Sequence, residues 1–425
     1  MSEFGLPNTV NYQEQLQTLP KNTQCINIAT APSNGSSFVS GNQIFFDVVN
    51  RGFLDAQSMY LSYTYTLAGG LSAEIIGTPV YQAFNRCEVS IGSINIDQIQ
   101  NYNLVMNTII NNTFSVSEKY GQQIGLGYFR SDTAGGVPSL EQLDGHLCIS
   151  ATETGTFTAP LMTIFSSAEK LIPLFAMGAV RITLTMDAIA NIFTTTVVPT
   201  GYTLTNMVLR YKVIDFGSDV EQAIRMSNPN GLTIKTQSFS SASTTLAANT
   251  TGYNELIFNM RYSSIKALIA VNGNATAASN KQFDSVDLTS SNGDYSFSVN
   301  GVIYPQKPLN TKTNKTEILQ ELRSAFGSIF DKNNSCSINS LEYSYQTTQA
   351  TSTYQTPSKF FVGTSLEKMN HHSLLTGVSS SDSPISYRIN TGTSIGTSNS
   401  TVSLIVNYDA LIIVDPNTKQ TVVKE

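Results

Sequence analysis

The sequence predicts an all-β protein of two tandem antiparallel sandwiches, each with a short helix inserted after a central strand. Three observations predict it. Charged residues make up only 13% of the 425, against roughly a quarter in an ordinary domain. Ser, Thr, Asn and Gln fill the gap; Thr and Tyr suit strands, whereas Asn, Ser and Gly suit turns. Second, apolar residues alternate with polar ones in short runs, most strictly at Met59, Leu61, Tyr63, Tyr65 and Leu67. Third, one mostly-β unit occurs twice, with its turn glycines, Gly92 and Gly301, half a chain apart.

The duplicated unit is clearest over residues 81–110. Phe84, Cys87, Val89 and Ile91 read as a half-buried strand, and Gly92 turns the chain. From Asp97 the period becomes helical, with Ile99, Tyr102, Val105, Met106, Ile109 and Ile110 on one face and Asn95 or Asp97 as the cap. In the second half Tyr295, Phe297 and Val299 alternate, Gly301 turns, and residues 302–305 follow. A helix then carries Ile318, Leu319, Leu322, Ala325, Phe326, Ile329 and Phe330, opened by a capping box of Asn314 and Glu317.

In chain order, residues 1–24 are a polar arm with Pro7 and Pro20. Residues 37–49 predict a strand interrupted by Gly41, residues 51–55 a turn, and residues 59–67 a strand. Residues 111–156 are glycine-rich and read as long loop, a length that compact domains usually reserve for contacts or function. Residues 166–175 predict a short helix or turn, and strands follow at 180–186 and 204–216. Residues 217–230 form a connector whose helical centre stops before Pro229. The second unit begins with a strand at 232–239 and continues with strand material over 255–271, broken near Ser263 and Ser264. It closes with a strand or strand pair over 402–414. The expected division is arm 1–24, first unit 25–216, connector 217–230, second unit 231–416 and tail 417–425. Long loops without a βαβ rhythm favour antiparallel sandwiches, and an eight-stranded jelly roll is a sandwich of this kind.

Composition excludes several classes. With 40% hydrophobic residues the chain is not disordered. Net charge is −6 and the pI about 5.2. No Lys/Arg stripe is present, so sequence-specific nucleic-acid binding is not expected. The low charge suits a surface partly covered by other subunits. Cys25, Cys87, Cys148 and Cys336 form no CxxC pair and read as buried free thiols rather than a zinc site. No signal peptide and no run of about 18 apolar residues is evident, so synthesis and folding in a reducing cell interior is the expectation.

Several segments together resemble the double jelly-roll major capsid proteins of small eukaryotic DNA viruses, the polinton-like virus and virophage group. They are residues 46–49 with 52–55, the 59–67 strand, residues 84–86 with 89–92 and the helix after them, and residues 118–121. Residues 170–174 leading into 180–184, residues 361–363 with 366–368, and the strand ending at 412–414 continue the series. The resemblance implies two upright eight-stranded jelly rolls per chain and a homotrimer of pseudo-hexagonal outline. Neighbouring capsomers would tile an icosahedral shell around double-stranded DNA, with long loops outward and the arm at the inner or lateral face. It implies penton and minor capsid proteins as partners, with an internal membrane as a further candidate. The location implied is the virion, after synthesis and assembly inside the host cell.

Catalytic, cofactor and metal sites are not expected. The three histidines, His146, His371 and His372, lack a G-x-S-x-G elbow or a third ligand at recognisable spacing. No glycine-rich phosphate loop is complete. Asp284, Asp287 and Asp294 share a loop and have the oxygen chemistry of a calcium site, but a solvated acidic loop is the simpler reading. Two other function classes compete with the structural one. One is a β-sandwich attachment or carbohydrate-binding protein of spike or fibre type, against which stands the absence of tryptophan. The other is an enzyme on a cupin-like scaffold, which needs clustered histidines.

Overall fold

Strict alternation sets the first sandwich. The computed structural model describes residues 19–20, 22–68, 73–76, 79–115, 146–149, 154–168, 170–192, 200–273, 285–289, 293–330, 336–338, 343, 359–369, 375–392 and 399–425. Strands β1 (Gln24–Thr30), β2 (Ser37–Val39), β3 (Gln43–Val48) and β4 (Phe53–Ala68) open the chain. In β4 every second residue from Met59 to Leu67 is buried, as the alternation requires. The turn before β4 is shorter than expected, because Phe53, Leu54 and Asp55 already pair with β12 (Gly201–Asp215). Gly41 divides β2 from β3, and the division moves the chain between sheets: β2 pairs with β12, and β3 with β11 (Val180–Met186).

Between β4 and β11 lie β5 (Ala73–Ile76), α1 (Pro79–Gln82), β6 (Phe84–Ile91), β7 (Ile94–Gln100), α2 (Tyr102–Thr113), β8 (His146–Ile149), β9 (Thr154–Pro160) and β10 (Ile172–Pro173). Here one expectation is corrected. The helix does not begin at Asp97; residues 94–100 return as β7, paired with β6 across the Gly92 turn. Ile96 and Ile99, three apart, keep helical spacing; a register shift where Val89 faces Asp97 and Ser90 faces Asn95 lets both be buried in a strand, and the two-residue hairpin sets the pairing. Neither Asn95 nor Asp97 caps α2; Asn101 does, in the left-handed conformation and without a side-chain hydrogen bond. The 166–175 segment is a turn, then β10, then a 3-10 turn at Leu174–Ala176.

The connector helix α3 (Ser218–Ser227) ends before Pro229, as expected. The second sandwich holds β13 (Leu232–Leu246), β14 (Tyr253–Phe258), β15 (Ile265–Asn272), β16 (Asp294–Val299), β17 (Val302–Asn310), α4 (Lys315–Phe330), β18 (Val362–Ser365), β19 (Ile385–Asn390) and β20 (Ser400–Val414). Ile318, Leu322, Ala325, Phe326 and Ile329 of α4 are buried. In its capping pair Asn314 Nδ2 donates to Glu317 Oε2 at 2.9 Å, side chain to side chain rather than to backbone. The final segment is one long strand, not two. Part of the expected tail is also structured: β21 (Thr421–Lys424) pairs with β20.

Both sandwiches have one wiring. Counting the eight principal strands of each, one sheet runs first–eighth–third–sixth and the other second–seventh–fourth–fifth. These are β1-β12-β4-β10 with β3-β11-β6-β7, then β13-β20-β15-β18 with β14-β19-β16-β17. All pairings between these strands are antiparallel, and the arrangement is a jelly roll in each case. The inserted helices α2 and α4 occupy the same place, after the fifth strand. Tyrosines fill the cores in place of tryptophan: Tyr65 stacks on Tyr202 at 5.3 Å, and Tyr295 on Tyr387 at 5.8 Å. Their hydroxyls find partners where they can; Tyr63 donates to Val80 O at 2.6 Å and Tyr295 to Asp287 at 2.9 Å.

Register also orders the two ends of each roll. Gln24 pairs with Asp215, and Leu232 with Val414, so the entry strand, the connector and β21 gather at one end, the base. The turns at 92–93 and 300–301 lie there too, with Gly92 and Gly301 at positive φ. The connections 101–153, 187–200, 273–293, 311–361 and 391–399 leave from the opposite end.

Gly52 marks a tight base turn. Its φ is +60°, and an added Cβ would sit 2.8 Å from Ile214 O. Gly92 has a similar φ, +62°, and open space around it. Gly92→Ala should therefore cost the left-handed strain alone, about 1–2 kcal/mol. Gly52→Ala should cost clearly more, and the difference in urea midpoint between the two variants measures the clash.

Candidate functional site

A polar seam joins the rolls. Strand β13 turns hydroxyl side chains toward β7 and the turn after β9. Ser238 Oγ donates to Asp97 Oδ1 at 2.7 Å, and Ser241 Oγ donates to Gln100 O at 2.7 Å. Asn101 Nδ2 donates to Ser241 Oγ at 3.3 Å, and Thr236 Oγ1 donates to Ile164 O. Asp97 Oδ2 accepts from Ile164 N at 3.2 Å, so one carboxylate holds both sides of the seam. Asp97 is 4% exposed and no cation pairs with it among the described residues. Burial pushes its carboxyl up to about 7, the Ser238 hydrogen bond opposes the shift, and Glu425 adds repulsion. Cys87, buried nearby, has its thiol pushed well up by burial and then by Asp97.

A second buried polar cluster lies within the second roll. Lys266 is 1% exposed and its Nζ stands 3.3 Å from Glu367 Oε1. With its amide oriented to suit both neighbours, Gln237 accepts from Lys266 at 2.8 Å and donates to Ile329 O at 3.1 Å. Thr376 Oγ1 donates to Glu367 at 2.9 Å. Asp409 accepts from Ser264 at 2.8 Å and lies 3.9 Å from Lys235. This network ties α4 and the connection after β18 to the sheet. It is hydrogen-bonded within itself and is the arrangement of a buried charge that must stay paired.

The outer sheet surfaces carry exposed apolar groups. Strand β14 is a sheet edge, with Tyr253 76% and Ile257 64% exposed on the same side as Glu255. Arg388 donates to Glu255 through Nε and an η nitrogen, both at 3.1 Å. The equivalent place on the first roll holds Arg181 Nε donating to Asp47 at 2.7 Å, with the guanidinium 5.2 Å from the Phe45 ring centre. At the base, Ile94 and Val302 occupy matching positions after the two turn glycines, and both are exposed. The duplication therefore extends from the wiring to the surface.

Of the residues considered for chemistry, those described do not converge. His146 lies in β8 opposite Ile76, while His371, His372 and Asp284 fall outside the described residues. Asp287 accepts from Thr289 and Tyr295; Asp294 accepts from Asn390 and Tyr253, so the two do not converge. Among the described residues no three His, Cys, Asp or Glu side chains are placed to hold a metal. Cys87 is buried and Cys336 half-buried, but Cys25 is exposed, against expectation, because β1 is the edge of its sheet. All three are free thiols, and Cys148 lies in β8. Sequence reading missed Asp97 and Lys266 as structural charges. A lysine within the apolar run of residues 265–271 was the one available signal.

The seam has a pH signature. A carboxyl raised from 3.8 to about 7 in the folded protein is protonated there while the unfolded chain is ionised. Its contribution therefore weakens the fold as pH rises from about 4 through 7, with the full penalty above that range. Asp97→Asn keeps the shape and removes the titration. Its stability relative to the parent should rise between pH 5 and pH 8 by about 2–3 kcal/mol, as read from paired denaturation curves.

No family model matches the sequence, and no curated protein is similar to it in sequence. Solved structures are similar in fold. A chain of the PBCV-1 virus capsid aligns over 97% of this chain and 99% of its own, with TM-score 0.62 and 11% identity. For the Faustovirus major capsid protein the shares are 95% and 92%, the TM-score 0.63 and the identity 8%. For the Sputnik virophage structure they are 99% and 92%, 0.57 and 12%. At such identities the likeness concerns fold, and it spans both rolls and the connector. The chain has the double jelly-roll fold of these viral capsid proteins.

Proposed function

We propose that this chain is a viral major capsid protein whose activity is self-assembly. One observation carries the reading: two jelly rolls of identical wiring stand on a common base, and capsid proteins match them over nearly the whole chain. Three such chains around an axis present six similar rolls, which gives a trimer a pseudo-hexagonal outline that tiles a shell. Residues 25–216 and 231–416 are the two rolls in this reading, with 1–24 as the arm and 217–230 as the connector. The base with its short turns faces inward and the long connections face out. The enclosed genome is DNA, and contact with it is not sequence-specific. Penton and minor capsid proteins complete the shell, an internal membrane is a candidate partner at the base, and the particle is assembled in the host cell.

The lateral surfaces support this reading. Tyr253 and Ile257 flank an acid–arginine pair on an open sheet edge, and the first roll carries a matching pair. Apolar groups around a paired charge suit a contact that buries them. Such an edge also invites uncontrolled strand addition unless a defined neighbour covers it. A shell protein needs no reacting group, and the buried Lys266 is paired with Glu367 within its own roll.

Light scattering behind a sizing column tests the proposal. A mass of three chains that resists dilution is expected, because large obligate interfaces keep subunits together; a monodisperse monomer would overturn it. The Tyr253→Asp/Ile257→Asp double variant should shift the protein toward monomer while its far-UV circular dichroism stays unchanged. The affinity loss expected is about thirtyfold to a thousandfold, since two anchors of about 1–2 kcal/mol each are removed.

A further inference from the structure

The base of the molecule holds a largely apolar cleft of about 540 Å³, open to solvent, between the two rolls. Phe53 and Pro173 of the first roll form one wall, Val220 and Ile224 of α3 a second, and Leu232 and Ile234 of β13 a third. Its size falls within the roughly 300–1,000 Å³ of small-molecule sites. The lining also includes one charge, Lys170, which is exposed and makes no hydrogen bond or ion pair among the described residues. The neighbouring charges are engaged elsewhere. Arg225 lies over the Phe175 ring at 5.4 Å, while Glu221 and Asp215 do not line the cavity.

We infer that this cavity is a binding site for a free medium-chain fatty acid. The alkyl chain lies among Phe53, Ile224 and Ile234, and the carboxylate pairs with Lys170 at the mouth. Charge and lining select the class: an alkyl chain suits the apolar walls, and an anionic head group answers the Lys170 ammonium, which is unpaired among the described residues. Both rolls and the connector touch the occupant, so binding stiffens the junction between them. The inference does not depend on the proposed assembly function.

The test uses the full chain and sodium dodecanoate below its micelle concentration. Calorimetry and native mass spectrometry should show one saturable site per chain, and the melting temperature should climb with ligand concentration. Lys170→Ala should weaken dodecanoate binding about tenfold while leaving dodecanol binding unchanged. Ile224→Trp should fill the cavity and abolish both. If Ile224→Trp does not fold, displacement of dodecanoate by dodecanol from the parent protein replaces it. Absence of saturable binding to the parent overturns the inference, as does equal dodecanoate affinity in parent and Lys170→Ala. Binding that appears only after residues 1–18 are removed also overturns it, because the chain's own segment would then be the occupant.

Discussion

Each roll closes on its last strand. β12 inserts between β1 and β4, and β20 between β13 and β15, so neither main sheet is continuous until the final strand arrives. The pairing of β12 with β4 joins residues about 150 apart, and that of β20 with β13 spans a similar distance. Such long-range ladders must overcome loop-closure entropy before they return hydrogen bonds or buried area, so folding is slow for the chain's size. They also make each roll close to all-or-none. Everything described at the base depends on this closure, since Asp215 and Val414 fix where the connector and the end strands lie.

The junction between the rolls uses two different chemistries. The seam is made of hydroxyls and one carboxylate, whose directional bonds fix the register of β13 against β7. The cavity beneath it is apolar and only partly filled by the connector. A junction of this kind is specific without being tightly packed everywhere. Packing alone would tolerate small rotations of one roll against the other, whereas a buried carboxylate accepting two hydrogen bonds does not. The cost is an uncompensated charge near neutrality, which an apolar seam would not carry.

Much of the architecture was legible in local sequence. Strict alternation at Met59 to Leu67 and the paired glycines at 92 and 301 exposed the strands and the duplication, because both signals are set within a few residues. The misplaced helix start shows the limit of such signals. Ile96 and Ile99 keep helical spacing, and only the bulged pairing with β6 accommodates both in a strand. Asp97 looked like a cap because its true partner, Ser238, lies 141 residues away. The cavity was invisible for the same reason: its lining comes from four separate stretches of chain, none unusual alone. Gly52 sat in a recognised turn, but its contact with Ile214 exists only after β12 has closed the sheet.

The separation of long connections to one end and tight turns to the other has an evolutionary consequence. Doubling the length of a flexible connection adds only about 0.6 kcal/mol of closure entropy, so insertions at the open end leave the wiring intact. At the base, turns such as 92–93 and 300–301 require left-handed backbone, and a substitution or insertion there shifts the strand register. Drift should therefore be steeply graded along the long axis of each roll. Lineages built on this plan can exchange one face of the molecule wholesale, acquiring new exposed surfaces while the opposite face stays recognisable.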